Sequence, residues 1–207
     1  MHKLLRQWDN SLSAKQHAAL DLSLERRSFL ANTLKAAATL SLLPGLIQLS
    51  ACSKDPELDQ QSLIQQEPWK TFATVQQILF PDDGNGPSAM DIHAALYLKF
   101  VLEAPDTEAA DREFILNGIN WLNDLSQQTH QKPFILVNVT QQDALLKQIS
   151  QSRAGERWLS TLLLYIFEAL LSDPAYGANP DGIGWRWLEH QPGFPSPPKN
   201  KIYTRLL

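Results

Sequence analysis

Fourteen residues from Trp158 to Leu171, WLSTLLLYIFEALL, are apolar almost all round. A membrane-spanning helix needs about 20 such residues. The run is therefore expected to form the central core helix of a bundle, starting near Gly155. It leads directly into DPAYGANPDGIGW, Asp173 to Trp185, which holds two prolines, three glycines and two aspartates. Neither a helix interior nor a central strand tolerates that mixture, because proline removes a donor and glycine favours positive φ. Long irregular segments in compact domains are usually functional or tail-like. Asp173 is placed to bond the backbone two residues on, as an Asx-turn. Gly177 and Asn179 suit left-handed backbone, and Tyr176 carries a hydroxyl that needs a partner once its ring is covered. Gly182 and Gly184 bracket Ile183 without a preceding strand, so they make no dinucleotide fingerprint. Trp185 and Trp187 flank Arg186, either as an alternating exposed surface or as a stacked Arg–Trp cluster. Glu168, inside the apolar run, is read either as an acid–base group or as an anchor accepting backbone N–H bonds from the loop. The anchor is favoured, because no His, Lys or second carboxylate lies near it in sequence.

The apolar spacing before this stretch is helical. Pro68 opens a helix at its first position, with Trp69, Phe72, Val75 and Leu79 on one face, and Phe80-Pro81 ends it. The turn DDGNGPSA, residues 82–89, lacks both the alternation and the distal Glu of a calcium loop. Ser88 is a candidate cap for a second helix reaching Glu103, with Ile92, Ala95, Leu96, Leu98 and Leu102 facing inward. Asp106 or Thr107 caps a third, with a stripe of Phe114, Gly118, Trp121, Leu122 and Leu125. Gly118 in that stripe implies close helix–helix approach, since glycine costs about 1 kcal/mol against alanine there. The apolar run FILV within Lys132–Val139 reads as an extended segment over the core, and Thr140 to Asp143 as a capping box for a fourth helix. The expected fold class is all-α: a small irregular helical bundle with a long structured C-terminal loop and tail.

The N-terminal quarter has a different character. Residues 1–51 carry a net charge of +3, whereas the rest of the chain carries −7. Arg26-Arg27-Ser28-Phe29-Leu30 follows the twin-arginine export pattern, and a modest apolar run reaches Leu49. Glu25 and Ala31 depart from the fuller consensus. Leu49-Ser50-Ala51-Cys52 then forms a lipobox, in which small residues admit the peptidase and the Cys52 thiol takes the lipid. Residues 1–51 are expected to be a twin-arginine lipoprotein signal peptide, 52–67 a flexible polar tether, and 68–207 the helical domain. Such a chain would sit in the periplasm, anchored to a cell membrane through acylated Cys52.

An acidic body argues against nucleic acid as a partner, since neutralising phosphate needs a basic face. One cysteine makes no internal disulfide and holds neither an iron–sulfur cluster nor a structural zinc. The five histidines, at 2, 17, 93, 130 and 190, show no metal-ligand spacing. The segment after the loop, His190 to Leu207, is rich in proline, aromatic and basic residues. That composition fits either an interface or a wrap over its own domain.

Three separated stretches carry a resemblance to one family. Ile78-Leu79-Phe80-Pro81 with its Asp/Gly/Pro turn, TQQDALL at 140–146 and DPAYGANPDGIGW at 173–185 resemble the gluconate 2-dehydrogenase subunit 3 family over about residues 68–195. Ala178 stands where that family usually has a second glycine. The resemblance implies a small non-catalytic subunit of a membrane-associated, FAD-dependent sugar or polyol dehydrogenase. It implies no catalytic, cofactor-binding or metal-binding residue in this chain. FAD is expected in a large GMC-type flavoprotein partner, and a cytochrome c subunit is a further candidate partner. Family members can carry the export signal for the flavoprotein, so the twin-arginine translocase is a third. Asp173, Tyr176, Gly177, Asn179, Trp185 and Trp187 are the candidate partner-binding residues. Two other readings stay open: a free-standing lipoprotein that binds sugar or scaffolds the envelope, and a small enzyme, for which no nucleophile–base or metal set is evident.

Overall fold

In a computed structural model of the protein, residues 2–10 and 56–193 are described. They form eight α-helices and, among the described residues, no strand. The helices are α1 (His2–Asn10), α2 (Pro56–Leu63), α3 (Trp69–Leu79), α4 (Ala94–Glu103), α5 (Ala109–His130), α6 (Val139–Ile149), α7 (Arg153–Leu171) and α8 (Ile183–Trp187). The all-α bundle expected from the sequence is the observed fold. The twin-arginine motif, including Arg26, Arg27, Phe29 and Leu30, lies outside the described residues, as do Cys52 and the tail beyond residue 193.

Helix α7 is the hub, packing against α1, α3, α4, α5, α6 and α8. Its inner face buries Trp158, Leu162, Ile166, Ala169 and Leu170. Ser152 caps it by accepting the Gly155 N–H at 3.0 Å. Around its first half the core is aromatic. Trp158 is fully buried, with Phe72 and Trp8 at ring-centroid distances of 6.3 and 6.1 Å. Around its second half the core is aliphatic, with Ile166, Ala169 and Leu170 meeting Ala89, Ile92, Ala94 and Ala178.

Gly118 does mark a close approach, but the visitor is a side chain. The Trp158 indole lies across α5 there and donates to the Ile115 carbonyl at 2.9 Å. A Cβ at Gly118 would stand 2.1 Å from Trp158 Nε1.

Several boundaries differ from the sequence expectation, each for a local reason. Pro68 precedes α3 as its N-cap, and Glu67 serves the first turn by accepting from Thr71 N–H and hydroxyl. Ser88 and Asp91 cap only a turn: Asp91 accepts from the Ser88 N–H and hydroxyl at 2.8 and 2.7 Å. Helix α4 begins later, after His93 adopts left-handed backbone at φ 58°. Helix α5 starts after Glu108, while Thr107 bonds back to the Val101 carbonyl at 2.5 Å. The FILV run is a 3₁₀ turn, Phe134–Leu136, rather than extended chain. The capping box of α6 belongs to Asn138 and Gln141, not to Thr140 and Asp143. The compact unit also takes in α1 and α2, in segments that read from sequence as leader and tether. In α2, Gln60 is buried and donates to the Met90 carbonyl at 2.9 Å.

Candidate functional site

The C-terminus of α7 and the loop after it build a clasp on the aliphatic half of the core. Asp173 caps the 3₁₀ turn Pro174–Tyr176 by accepting the Ala175 N–H at 2.9 Å, the Asx-turn its position predicts. Gly177 follows at φ 91° and Asn179 at φ 51°, both left-handed as expected. Asn179 is fully buried and is the centre of the clasp. Its backbone N–H donates to Ile92 O at 3.0 Å. Its side-chain amide donates to Ser172 O at 2.9 Å and accepts from Gly184 N at 2.7 Å. One residue thereby ties the turn before α4, the end of α7 and the start of α8.

Two further contacts lock the loop. Trp185 Nε1 donates to Leu171 O at 2.9 Å. Gly184 lies so close to α7 that a Cβ would stand 2.3 Å from the Leu170 carbonyl oxygen. Ala178 adds its methyl group to the aliphatic core, which uses the side chain that a glycine would lack. His93, unassigned from sequence, places Nδ1 3.3 Å from Gly177 O. Its left-handed backbone, like Asn179's, is invisible to a pattern that counts only apolar spacing.

Glu168 is half-buried. It accepts from the Tyr97 hydroxyl at 3.2 Å. Burial, then the Glu168 charge, holds the Tyr97 phenol well above its ordinary value. Tyr165 is raised by the same two causes in the same order. Both phenols favour the protonated form in the fold, so their contribution to stability is complete below pH 10 and is lost at higher pH. An ultraviolet absorbance titration should show these two tyrosines ionising near pH 10 only after the protein unfolds. Ionisation of Tyr97 or Tyr165 near pH 10 in the native state would refute this.

The candidate residues thus divide. Asp173, Gly177 and Asn179 shape the clasp, and Trp185 is half-buried against it. Tyr176 is half-buried. Arg186 donates to the Asp181 carbonyl rather than stacking between the tryptophans. Trp187 faces outward, 42% exposed, lying over Gly86 of the acidic turn. Asp82 and Asp83 accept from Gly84 and Asn85 N–H within that turn, so their carboxylates shape the loop. Among the described residues no three His, Cys, Asp or Glu side chains gather as a metal site. No described helix is long and apolar enough to cross a membrane.

Sequence reasoning missed what surrounds Trp187. Phe80 stands 6.1 Å from Trp187 and 6.4 Å from Phe167, both edge to face. Phe167 is 44% exposed, Leu171 one helical turn on is 49% exposed, and Leu188 is 45% exposed. The signal was present: Phe167 and Leu171 follow each other at i, i+4 on a helix whose opposite face is already filled.

Fold and site together define a small helical bundle that presents an aromatic patch on a rigid clasp. The chain belongs to the gluconate 2-dehydrogenase subunit 3 family, whose model matches residues 66–193. That span covers the clasp, the acidic turn and every helix from α3 to α8. No curated protein and no solved structure matches the chain.

Proposed function

We propose that this chain is a non-catalytic accessory subunit that binds a large FAD-dependent, GMC-type sugar or polyol dehydrogenase through the clasp. The observation carrying this reading is the exposed Phe167, Leu171 and Trp187, joined by half-buried Phe80, with exposed Leu188 next in sequence to Trp187. Contiguous exposed apolar residues beside polar chain mark a protein–protein surface, and a rigid backbone lowers the ordering cost of binding. Family membership supports a dehydrogenase complex as the setting. FAD belongs to that partner and no cofactor to this chain. A cytochrome c subunit would complete the electron path.

The N-terminal motifs give the complex its route. Arg26 and Arg27 direct folded cargo to the twin-arginine translocase, so the flavoprotein loads its cofactor before export. Acylated Cys52 then holds the complex at the periplasmic face of a membrane. Changing Arg26 and Arg27 to Lys should strand both this chain and the flavoprotein in the cytoplasm. Continued export of the pair would refute escort.

Native isolation with the co-expressed partner tests the binding reading. A flavin-bearing heavier chain should accompany this one. The double substitution Phe167→Ala, Trp187→Ala should weaken that association at least about tenfold, because central aromatic anchors each contribute about 2 kcal/mol or more. Both side chains are well exposed, so the fold should persist. Unchanged capture would remove the patch from the interface. Dehydrogenase activity in the isolated small chain would overturn the non-catalytic reading.

A further inference from the structure

Helix α1 occupies a seat that the proposed processing would vacate. It lies against α5 and α7. Trp8 is only 2% exposed and meets Trp121 edge to face at 4.7 Å and Trp158 at 6.1 Å. The next residue, Asp9, accepts the Ala154 N–H at 2.8 Å. Ser152 serves the neighbouring Gly155 donor, so Asp9 satisfies a second donor of the first turn of α7, where negative charge is favoured. Lys3, Arg6 and Gln7 stay exposed on the outer side. The seat therefore recognises an amphipathic helix by two features at fixed spacing: an aromatic anchor and a carboxylate directly after it.

We propose that this α5–α7 seat is a helix-docking site, held shut by the chain's own first helix until processing removes it. The proposal rests on cleavage before Cys52, as proposed above. In the precursor, α1 covers Trp158 and Ala154 while the flavoprotein docks at the clasp. These surfaces use opposite ends of α7, whose 19 residues span about 28 Å. After export, cleavage takes Trp8 and Asp9 away and leaves an apolar floor with one unserved helix donor. The occupant is then an amphipathic helix of a partner met outside the cytoplasm, bearing the same aromatic–carboxylate pair. Assembly is thereby ordered: the clasp is available before export and the seat only after it.

The test uses processed protein isolated from membranes, unprocessed full chain carrying Cys52→Ala, and a labelled synthetic peptide of residues 2–10. The peptide should bind the processed protein saturably and the unprocessed chain at least tenfold more weakly. A Trp8→Ala peptide should bind the processed protein at least tenfold more weakly than the native peptide. Equal binding by the two peptides, or none, on a chain whose mass begins at Cys52 would overturn the seat. A mass that includes residues 2–10 would instead overturn cleavage, and with it the opening of the seat. A processed chain that dimerises through Trp121 and excludes the peptide would give the seat to a second copy, overturning the partner assignment.

Discussion

Trp158→Ala should lower stability by about 3–5 kcal/mol, the range for deleting a buried aromatic side chain. For a domain of this size, that corresponds to a melting temperature lower by roughly 10 °C or more. Three separate losses contribute. The indole is fully buried, so its removal leaves a void among Phe72, Trp8 and α5. The hydrogen bond from Nε1 to Ile115 O disappears. The surface of Gly118, which has no side chain of its own, loses its cover. Trp158→Phe separates these terms, because it keeps most of the apolar volume and removes the donor. The Ile115 carbonyl retains a helical partner, so the phenylalanine variant should lose about 1–2 kcal/mol. Gly118→Ala should approach the alanine effect from the other side, since the added methyl group and the indole claim the same space. Thermal or denaturant unfolding of the three variants checks the ranking. A Trp158→Ala protein as stable as the native chain would show that the aromatic half of the core is not structural.

Which of these features could be read from the sequence follows from how far each interaction reaches along the chain. Helix α7 was legible because fourteen nearly continuous apolar residues admit few other structures. The Asx-turn at Asp173 was legible because its donor lies two residues away. The cap of α6 is ambiguous in sequence because Thr140-Gln141-Gln142-Asp143 satisfies the same local pattern as Asn138 with Gln141, and backbone geometry chooses between them. The start of α4 lies later than the Ser88 signal suggests because Ser88 does cap a turn, but one that ends at the left-handed His93. Helix α1 could not be foreseen. Its seat depends on Asp9 meeting Ala154, 145 positions later, and on Trp8 meeting two other tryptophans. The roles within the clasp were obscured for the same reason. Composition marks Asn179 as a turn residue, but its bonds to Ile92, Ser172 and Gly184 exist only once three elements have converged.

Asn179→Ala should therefore be the most damaging single change in the clasp, at about 3 kcal/mol. The buried Gly184 N–H and the half-buried Ser172 carbonyl lose their side-chain partners, and an unsatisfied buried group costs about 1–3 kcal/mol. Alanine must also hold φ 51°, a region that non-glycine residues other than Asn and Asp rarely occupy. Asn179→Gly isolates the first effect. It accepts the backbone angle but restores neither hydrogen bond, so it should fall short of the alanine loss by about 1 kcal/mol. Asn179→Asp isolates the donor: its carboxylate still accepts from Gly184 N but faces the Ser172 carbonyl oxygen with no proton to offer. The functional consequence separates a clasp from a passive turn. Asn179 is wholly buried and so presents no surface of its own to a partner, yet its bond to Gly184 N fixes the start of the helix that carries Trp187. If the patch binds as a preformed surface, Asn179→Ala should weaken capture of the flavoprotein at a temperature where unfolding shows the bundle still intact. A variant that loses stability as expected but captures its partner normally would mean that Trp187 needs no rigid mount, and that the binding surface lies on α7 alone.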